Sequence, residues 1–250
     1  RSDGIQIRSG GVMEENFVAR TAIALLVGIN GDVPEPNVGG RVTNNVILEG
    51  TNLSGISRGH GLDVGNISNI GLEIDHNIFA NNLNVTYGHS FQIGPYNAPG
   101  VGVHNLNFHH NTISNWGNGI SLRTNDDYTY NGKSFSDPHS NIRLTDNVIS
   151  ERNMDSYKSL IDIHAGTGAL VDLSVYTFKN NTYDMKEDKI GRIDNKKDYT
   201  FAEWTAKVND TGSQMKQVSF VDPNRTTATY SASLGKAASF DAFIAEVRKQ

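Results

Sequence analysis

The chain has 250 residues, of which 37% are hydrophobic and 25 are glycine, and its net charge is −5. This negative balance argues against a nucleic-acid-binding surface, which is normally basic. The absence of cysteine excludes disulfides and thiolate metal sites. No apolar run is long enough to span a membrane. The low apolar content favours a thin core that repeats along the chain.

A strand–asparagine–strand pattern recurs along most of the sequence. In the clearest copy, Leu106 and Phe108 alternate with polar residues, Asn111 follows, and Ile113 belongs to a second short apolar segment. Aligning the copies gives one column of asparagines, namely Asn16, Asn52, Asn77, Asn111, Asn147 and Asn181. Such repeats cannot fold singly and must stack into parallel sheets. Stacked amides inside a turn satisfy each other, so the column predicts an asparagine ladder.

The repeats resemble the right-handed parallel β-helix of the pectate-lyase-like superfamily. The resemblance implies an all-β fold with about six coils over residues 1–194. The first two coils are less regular, because Glu49 falls where an apolar residue is expected. A bulge or shifted register is therefore predicted near Leu48–Thr51.

Residues 195–250 are predicted to form a C-terminal cap and wrap with two short helices. Thr200 and Glu203 have the spacing of a capping box that opens the first helix. The second helix has an apolar face at helical spacing, formed by Phe240, Phe243, Ile244 and Val247. A last strand is predicted at Val218–Val221.

On the first sheet, alternation predicts two neighbouring outward columns. One contains Glu73, Asn107, Arg143 and Thr177, and the other contains Asp75, His109, Thr145 and Lys179. Arg143, His109, Glu73 and Asp75 are the candidate catalytic residues, and Asn107 is a candidate for substrate binding. The position before the ladder asparagine is predicted to be a turn, occupied by His76, His110, Asp146 and Asn180.

On the second sheet, the predicted outward column is Asp63, Gln92, Ser121, Asp162 and Arg192. His60 and His89 lie at the starts of these strands, and Arg123 and His164 follow their ends. Substrate-binding candidates here and in the loops are His89, Gln92, Asp63, Arg123, Tyr96 and Tyr128. Outward polar residues on such coils are commonly plain surface, and His60 or His89 has the alternative of being an interior histidine.

The resemblance implies a carbohydrate substrate. A lyase needs a cation for the uronate carboxylate, a base and an acid. The candidate cation is Arg143 or Arg123, the candidate base is His109 or His89, and the candidate acid is a tyrosine. A hydrolase needs two carboxylic acids. Asp63 and Asp162 lie three coils apart, roughly 14 Å, which is too far, whereas Glu73 and Asp75 are about 7 Å apart on one strand.

The leading hypothesis is an extracellular, periplasmic or cell-surface protein that binds an acidic polysaccharide. If it is an enzyme, elimination or epimerisation of a uronate polymer is favoured over hydrolysis. The alternative is a non-catalytic structural or adhesive protein that self-associates through the β-helix ends. No cofactor motif is present. The loop acids Asp126 and Asp127, and Asp32 and Glu35, are candidate ligands for Ca²⁺, with plain surface acids as the alternative.

Overall fold

The computed structural model describes residues 3–8, 10–28, 39–52, 58–65, 69–83, 88–93, 103–123, 128–130, 133–135, 139–151, 159–164, 171–194 and 196–248. Within these residues the chain passes repeatedly through three long sheets, and each strand pairs with its equivalent one coil along. The predicted parallel β-helix is confirmed. Strands are numbered along the chain.

The eight-stranded sheet is parallel except for its last pair, β23 and β24. Its strands are β1 (Asp3–Ile7), β4 (Ile23–Val27), β7 (His60–Val64), β11 (His89–Ile93), β15 (Asn118–Arg123), β20 (Ile161–His164), β23 (Gly191–Ile193) and β24 (Lys197–Tyr199).

The seven-stranded and six-stranded sheets complete the coils. The seven-stranded sheet contains β3 (Phe17–Ala19), β6 (Val46–Leu48), β10 (Ile78–Ala80), β14 (Thr112–Ser114), β19 (Val148–Glu151), β22 (Thr182–Met185) and β25 (Gln214–Met215). The six-stranded sheet contains β2 (Val12–Glu14), β5 (Gly40–Thr43), β9 (Leu72–Asp75), β13 (Asn107–His109), β18 (Ile142–Thr145) and β21 (Tyr176–Lys179).

The chain also forms shorter elements that are not part of the three long sheets. They are the parallel pair β8 (Asn69–Ile70) and β12 (Val103–His104), the hairpin β16 (Tyr128–Tyr130) and β17 (Lys133–Phe135), a 3₁₀ helix at Leu173–Val175, and the helices α1 (Phe201–Val208), α2 (Thr227–Ser233) and α3 (Phe240–Val247).

The core is a set of apolar columns that run along the stack. Leu62, Phe91 and Ile120 are aligned in neighbouring strands and are buried. The ring of Phe91 stacks on that of Phe108 across the interior, with centroids 4.4 Å apart. Alternation in each strand places one set of side chains in this core and the other set on the outer face.

The asparagine ladder is present, and one of its members differs from the prediction. The ladder residues are Asn16, Asn45, Asn77, Asn111, Asn147 and Asn181, and the side-chain amide nitrogen of each of the first five donates to the Oδ1 of the next at 2.9 to 3.2 Å. In these five residues the backbone N–H donates to the same Oδ1 at 3.0 Å. The amides therefore satisfy one another in the buried turn.

The prediction of Asn52 as a ladder residue is wrong, and so is the bulge at Leu48–Thr51. Strand β6 pairs in regular register with β3 and β10. Glu49 lies in the turn that follows β6, with φ 54°. It is buried, and its Oε2 accepts from Arg20 Nε at 2.9 Å. Glu49 therefore follows the end of strand β6, in a turn where its carboxylate pairs with Arg20.

The residue before each ladder asparagine has a left-handed backbone, as the predicted turn requires. This column consists of Glu15, Asn44, His76, His110, Asp146 and Asn180, with φ between 54° and 57°. Asparagine, aspartate and histidine are enriched in this conformation. The turn assignment of His76 and His110 is confirmed.

The first predicted helix near the C-terminus covers the last coil. Thr200 and Glu203 form the expected capping box at α1. Trp204 of α1 is fully buried, 5.3 Å from the ring of Phe178. A Cβ at Gly191 would lie 2.0 Å from the Trp204 ring, so only glycine fits there. The strand predicted at Val218–Val221 is not formed, and the pairing segment is β25.

Residues 216–248, here named the C-terminal strap, run back along the outer face of the seven-stranded sheet. The strap starts at the last coil, where the Val218 N–H donates to Asp184 Oδ2 at 2.9 Å. It ends at the first coil, where the ring of Phe240 lies 4.5 Å from the Arg20 guanidinium. Intermediate contacts are Asn81 Nδ2 to Arg225 O, Thr227 Oγ1 to Glu49 Oε2 and the stacked rings of Phe17 and Tyr230.

Candidate active site on the six-stranded sheet

The register of the six-stranded sheet produces the two outward columns that alternation predicts. Glu73, Asn107 and Arg143 are aligned in β9, β13 and β18. Asp75 and His109 are aligned beside them. Strand β5 adds a further member to each column, Arg41 beside Glu73 and Thr43 beside Asp75. Aligned side chains are spaced about 4.8 Å along the stack.

A hydrogen-bonded chain joins Glu73, His109 and His110. His109 Nε2 lies 3.2 Å from Glu73 Oε2, and His109 Nδ1 lies 2.8 Å from His110 Nδ1. Asn107 Nδ2 donates to the other carboxylate oxygen, Glu73 Oε1, at 2.6 Å. This arrangement holds the carboxylate and orients the first imidazole.

The tautomers follow from the carboxylate, because it only accepts hydrogen bonds. When the His109 ring carries one proton, that proton is therefore on Nε2 and faces Glu73, and Nδ1 accepts. His110 Nδ1 must then donate, which leaves a lone pair on His110 Nε2. That atom has no hydrogen bond within the described part of the chain, and His110 is exposed. The chain thus ends on a basic nitrogen open to solvent.

Asp75 organises a second imidazole. His76 Nδ1 lies 2.8 Å from Asp75 Oδ2, and Thr43 Oγ1 donates to the same oxygen at 3.0 Å. Arg41 pairs with the carboxylate at 3.1 and 3.2 Å. Burial by itself would raise the pKa of Asp75, but the hydrogen bonds from Arg41, His76 and Thr43 outweigh it and lower the pKa to about 2. Asp75 is therefore ionised at neutral pH.

His76 and His110 stand side by side on the outer face. Their rings are stacked with centroids 5.2 Å apart and an angle of 8° between the planes. Both residues are exposed. Each ring is held through Nδ1, His76 by Asp75 and His110 by His109. The site thus presents two oriented imidazoles.

Arg143 lies one strand beyond Asn107 and is exposed. Its Nε donates to the neutral side chain of Asn141 at 2.9 Å. Within the described residues it forms no ion pair with a carboxylate, unlike Arg41. The positive charge of its guanidinium is therefore available to bind an anion.

The predicted second-sheet column exists but does not join this site. Asp63, Gln92, Ser121 and Asp162 are aligned in β7, β11, β15 and β20. Asp63 and Gln92 are buried, although their position in the strand is the outward one. Asp162 Oδ2 lies 3.0 Å from His164 Nε2. Arg192 continues the column.

His60 and His89 are stacked with ring centroids 5.4 Å apart. His60 is buried, and the pKa of its imidazole is lowered to about 4, mainly because burial disfavours the charged form. His60 is thus the interior histidine of the pair, and His89 is half-buried.

The remaining sequence candidates lie wholly or partly outside the described residues. Tyr96 and the loop acids Asp32, Glu35, Asp126 and Asp127 are outside them. For Arg123 at the end of β15 and Tyr128 in β16, the structure describes the backbone only.

Sequence reasoning missed three members of the site, namely Arg41, His76 and His110. The sequence alignment does not show Arg41 beside Glu73, because it places Asn52 in the ladder instead of Asn45. Strand β5 therefore drops out of the outward column. His76 and His110 were correctly recognised as turn residues, but nothing in their spacing indicates that their rings fold back towards Asp75 and His109. The usable signal was a pair of histidines at one turn position in neighbouring repeats.

No family model, curated protein or solved structure matches the chain. In the residues that the structure describes, no three His, Asp or Glu side chains are grouped to hold a metal ion. The helices of the described chain are all too short or too polar to cross a membrane.

Proposed function

We propose that the protein binds an acidic polysaccharide along the outer face of the six-stranded sheet and eliminates or epimerises its uronate residues there. The observation that carries this proposal is the chain Glu73–His109–His110, which ends on an exposed imidazole nitrogen. The resemblance of the repeats to the pectate-lyase-like superfamily supports a carbohydrate substrate. Such polymers occur outside the cell, so we place the protein in the periplasm, at the cell surface or in the medium.

Both reactions begin with removal of the proton on C5, next to the uronate carboxylate. His110 Nε2 accepts this proton, and the charge that results is shared through His109 with Glu73. His109 and Glu73 therefore act as positioning residues behind the base. In elimination, the electron pair of the broken C5–H bond forms the C4–C5 double bond while the C4–O4 bond breaks and O4 takes a proton. In epimerisation, a proton returns to the opposite face of C5.

Arg143 is the residue best suited to the substrate carboxylate. A cation beside that carboxylate stabilises the negative charge that develops when the C5 proton leaves. The exposed guanidinium of Arg143 has no carboxylate to neutralise it in the described residues, and it lies one strand from Asn107. Arg41 is less available, because Asp75 already pairs with it.

Hydrolysis by Glu73 and Asp75 fits the site less well. A glycoside hydrolase needs one carboxyl group that donates a proton to the leaving oxygen. The pKa of Asp75 is lowered to about 2, so this carboxyl holds no proton at neutral pH. Glu73 is bound to Asn107 and His109, as expected for a group that orients a base.

The proposal is tested by incubating the protein with a panel of uronate polymers and following the absorbance of the unsaturated product. Exchange of the C5 proton in deuterated water, followed by NMR, detects epimerisation as well. We expect turnover to fall by about 10²- to 10⁴-fold in His110→Asn, the range for loss of a general base. Asparagine suits this turn because Asn44 and Asn180 occupy it in other coils.

Asp146→Asn is the matched control, since Asp146 has the same turn position one coil further along. Its activity should equal that of the wild type. The absence of both product and proton exchange with every polymer would refute the proposal and favour the structural or adhesive alternative.

A further inference from the structure

We infer that this site eliminates in the syn sense, with His110 as base and His76 as acid, and that its substrates are therefore 4-linked mannuronate or glucuronate polymers. This inference rests on the proposed function. It adds a second catalytic residue and a substrate class that excludes galacturonate and guluronate.

The two imidazoles have equivalent positions in neighbouring coils. The φ values of His76 and His110 are 56° and 54°, and their rings are parallel to within 8°. Equivalent backbones and parallel rings place like atoms about one strand spacing apart. Because each Nδ1 is held from the protein side, both Nε2 atoms are presented on the same exposed face.

The surroundings of the rings assign their roles. His76 faces the carboxylate of Asp75 directly at 2.8 Å, so a proton on this ring has an opposite charge beside it, although Arg41 shares that charge. His110 faces the ring of His109, and Glu73 lies beyond it. We therefore assign the acid role to His76, which contacts a carboxylate directly, and the base role to His110, which contacts an imidazole.

The stereochemistry of the sugar decides which polymers fit. In 4-linked mannuronate and glucuronate, the C5 proton and O4 lie on the same side of the ring. In galacturonate and guluronate they lie on opposite sides. A base and an acid side by side on one protein face reach both groups only in the first case, and close positioning of both is what accelerates the step.

The step balances on these two residues. His110 Nε2 takes the C5 proton, and the electrons of that bond form the C4–C5 double bond. The C4–O4 bond breaks, and O4 takes the proton from His76 Nε2. The two imidazoles thereby exchange protonation states, and proton transfer through solvent restores them before the next cycle.

The experiment compares four polymers under one set of conditions, namely polymannuronate, a 4-linked glucuronan, polygalacturonate and polyguluronate. We expect unsaturated product from the first or second at a rate at least about 100-fold above that from the last two, the scale of losing one acid–base group. Equal or faster product formation from polygalacturonate or polyguluronate overturns the inference and leaves the proposed function standing. No product and no C5 proton exchange with any polymer overturns both.

The role of His76 is tested with His76→Asn, which the turn accepts as it accepts Asn44. We expect kcat to fall by about 10²-fold or more while KM stays within about twofold, because the acid acts only in the transition state. The pH–rate profile should lose its alkaline limb, which reports the protonated acid, whereas His110→Asn should remove the acidic limb. An unchanged kcat or an unchanged alkaline limb in His76→Asn contradicts the assignment. Asp146→Asn again controls for the turn.

Discussion

At the scale of single residues, the two carboxylates of strand β9, Glu73 and Asp75, have different roles in the site. Glu73 is partly exposed and accepts from Asn107 and His109. Asp75, two residues later, is buried and is held by Arg41, Thr43 and His76. The first can respond to the charge on a neighbouring imidazole, while the second is a fixed anion that orients His76.

The lowered pKa of Asp75 makes the stability of the fold depend on pH. The folded value of about 2 lies below the ordinary value of 3.8. The stabilisation is therefore complete above about pH 4 and is lost as the pH falls through 2, and it amounts to about 2 kcal/mol. Urea unfolding between pH 6 and pH 2 should show this loss in the wild type and a flatter profile in Asp75→Asn. Parallel profiles for the two proteins would contradict the ionised Asp75.

At the scale of elements, the turns between the six-stranded and seven-stranded sheets carry both the fold and the site. The ladder asparagine fills the interior of the turn, and the residue before it has a left-handed backbone and projects outwards. One turn thus supplies Asn111 to the core and His110 to the surface. The spacing of the coils makes the same arrangement recur at Asn77 and His76.

Loss of a ladder amide should be costly, whereas loss of Asn52 should not. Asn111 Nδ2 donates to Ile74 O, His109 O and Asn147 Oδ1, and its Oδ1 accepts from the backbone and side chain of Asn77. Asn111→Ala leaves several buried groups unpaired, so we expect about 3 kcal/mol of destabilisation in urea unfolding. Asn52 is exposed, and Asn52→Ala should change the free energy of unfolding by less than about 0.5 kcal/mol. An equal loss in the free energy of unfolding for the two variants would show that Asn52 is also a structural residue.

At the scale of the whole molecule, the C-terminal strap ties the last coil to the first. A stacked β-helix pairs each coil only with its neighbours, so its stability is a sum of local terms. The strap adds contacts that span the stack, from Asp184 near one end to Arg20 near the other. It also contacts Glu49, which is buried in the turn after β6.

Removal of the chain after Asn224 should therefore weaken the first coils. The truncation removes α2 and α3, the stacked ring contact of Tyr230 with Phe17 and the hydrogen bond from Thr227 to Glu49. We expect a loss of roughly 3 kcal/mol in urea unfolding with the sheet signal in circular dichroism retained. Thr227→Val, which removes the hydrogen bond alone, should lose about 1 kcal/mol. A truncated protein as stable as the full chain would show that the strap does not stabilise the first coils.

Much of the fold was predictable because its signals are local and repeated. Alternation assigned the outward columns, and the asparagines marked the turns. The prediction failed at the coil with the least regular spacing, where Asn52 and Asn45 both offered an amide and the sequence alone had no register to choose between them. Backbone pairing of β6 with both neighbours decided in favour of Asn45.

The sequence by itself determined the parallel β-helix, its ladder and the alignment of Glu73, Asn107 and Arg143, because a fixed repeat and a two-residue strand period leave little freedom. Only the tertiary structure decided what these side chains contact. Ring orientation at an exposed turn depends on partners that come from other coils, such as Asp75 beside Arg41 and His76 against His110. No spacing in the sequence encodes those contacts, and the candidate site depends on them.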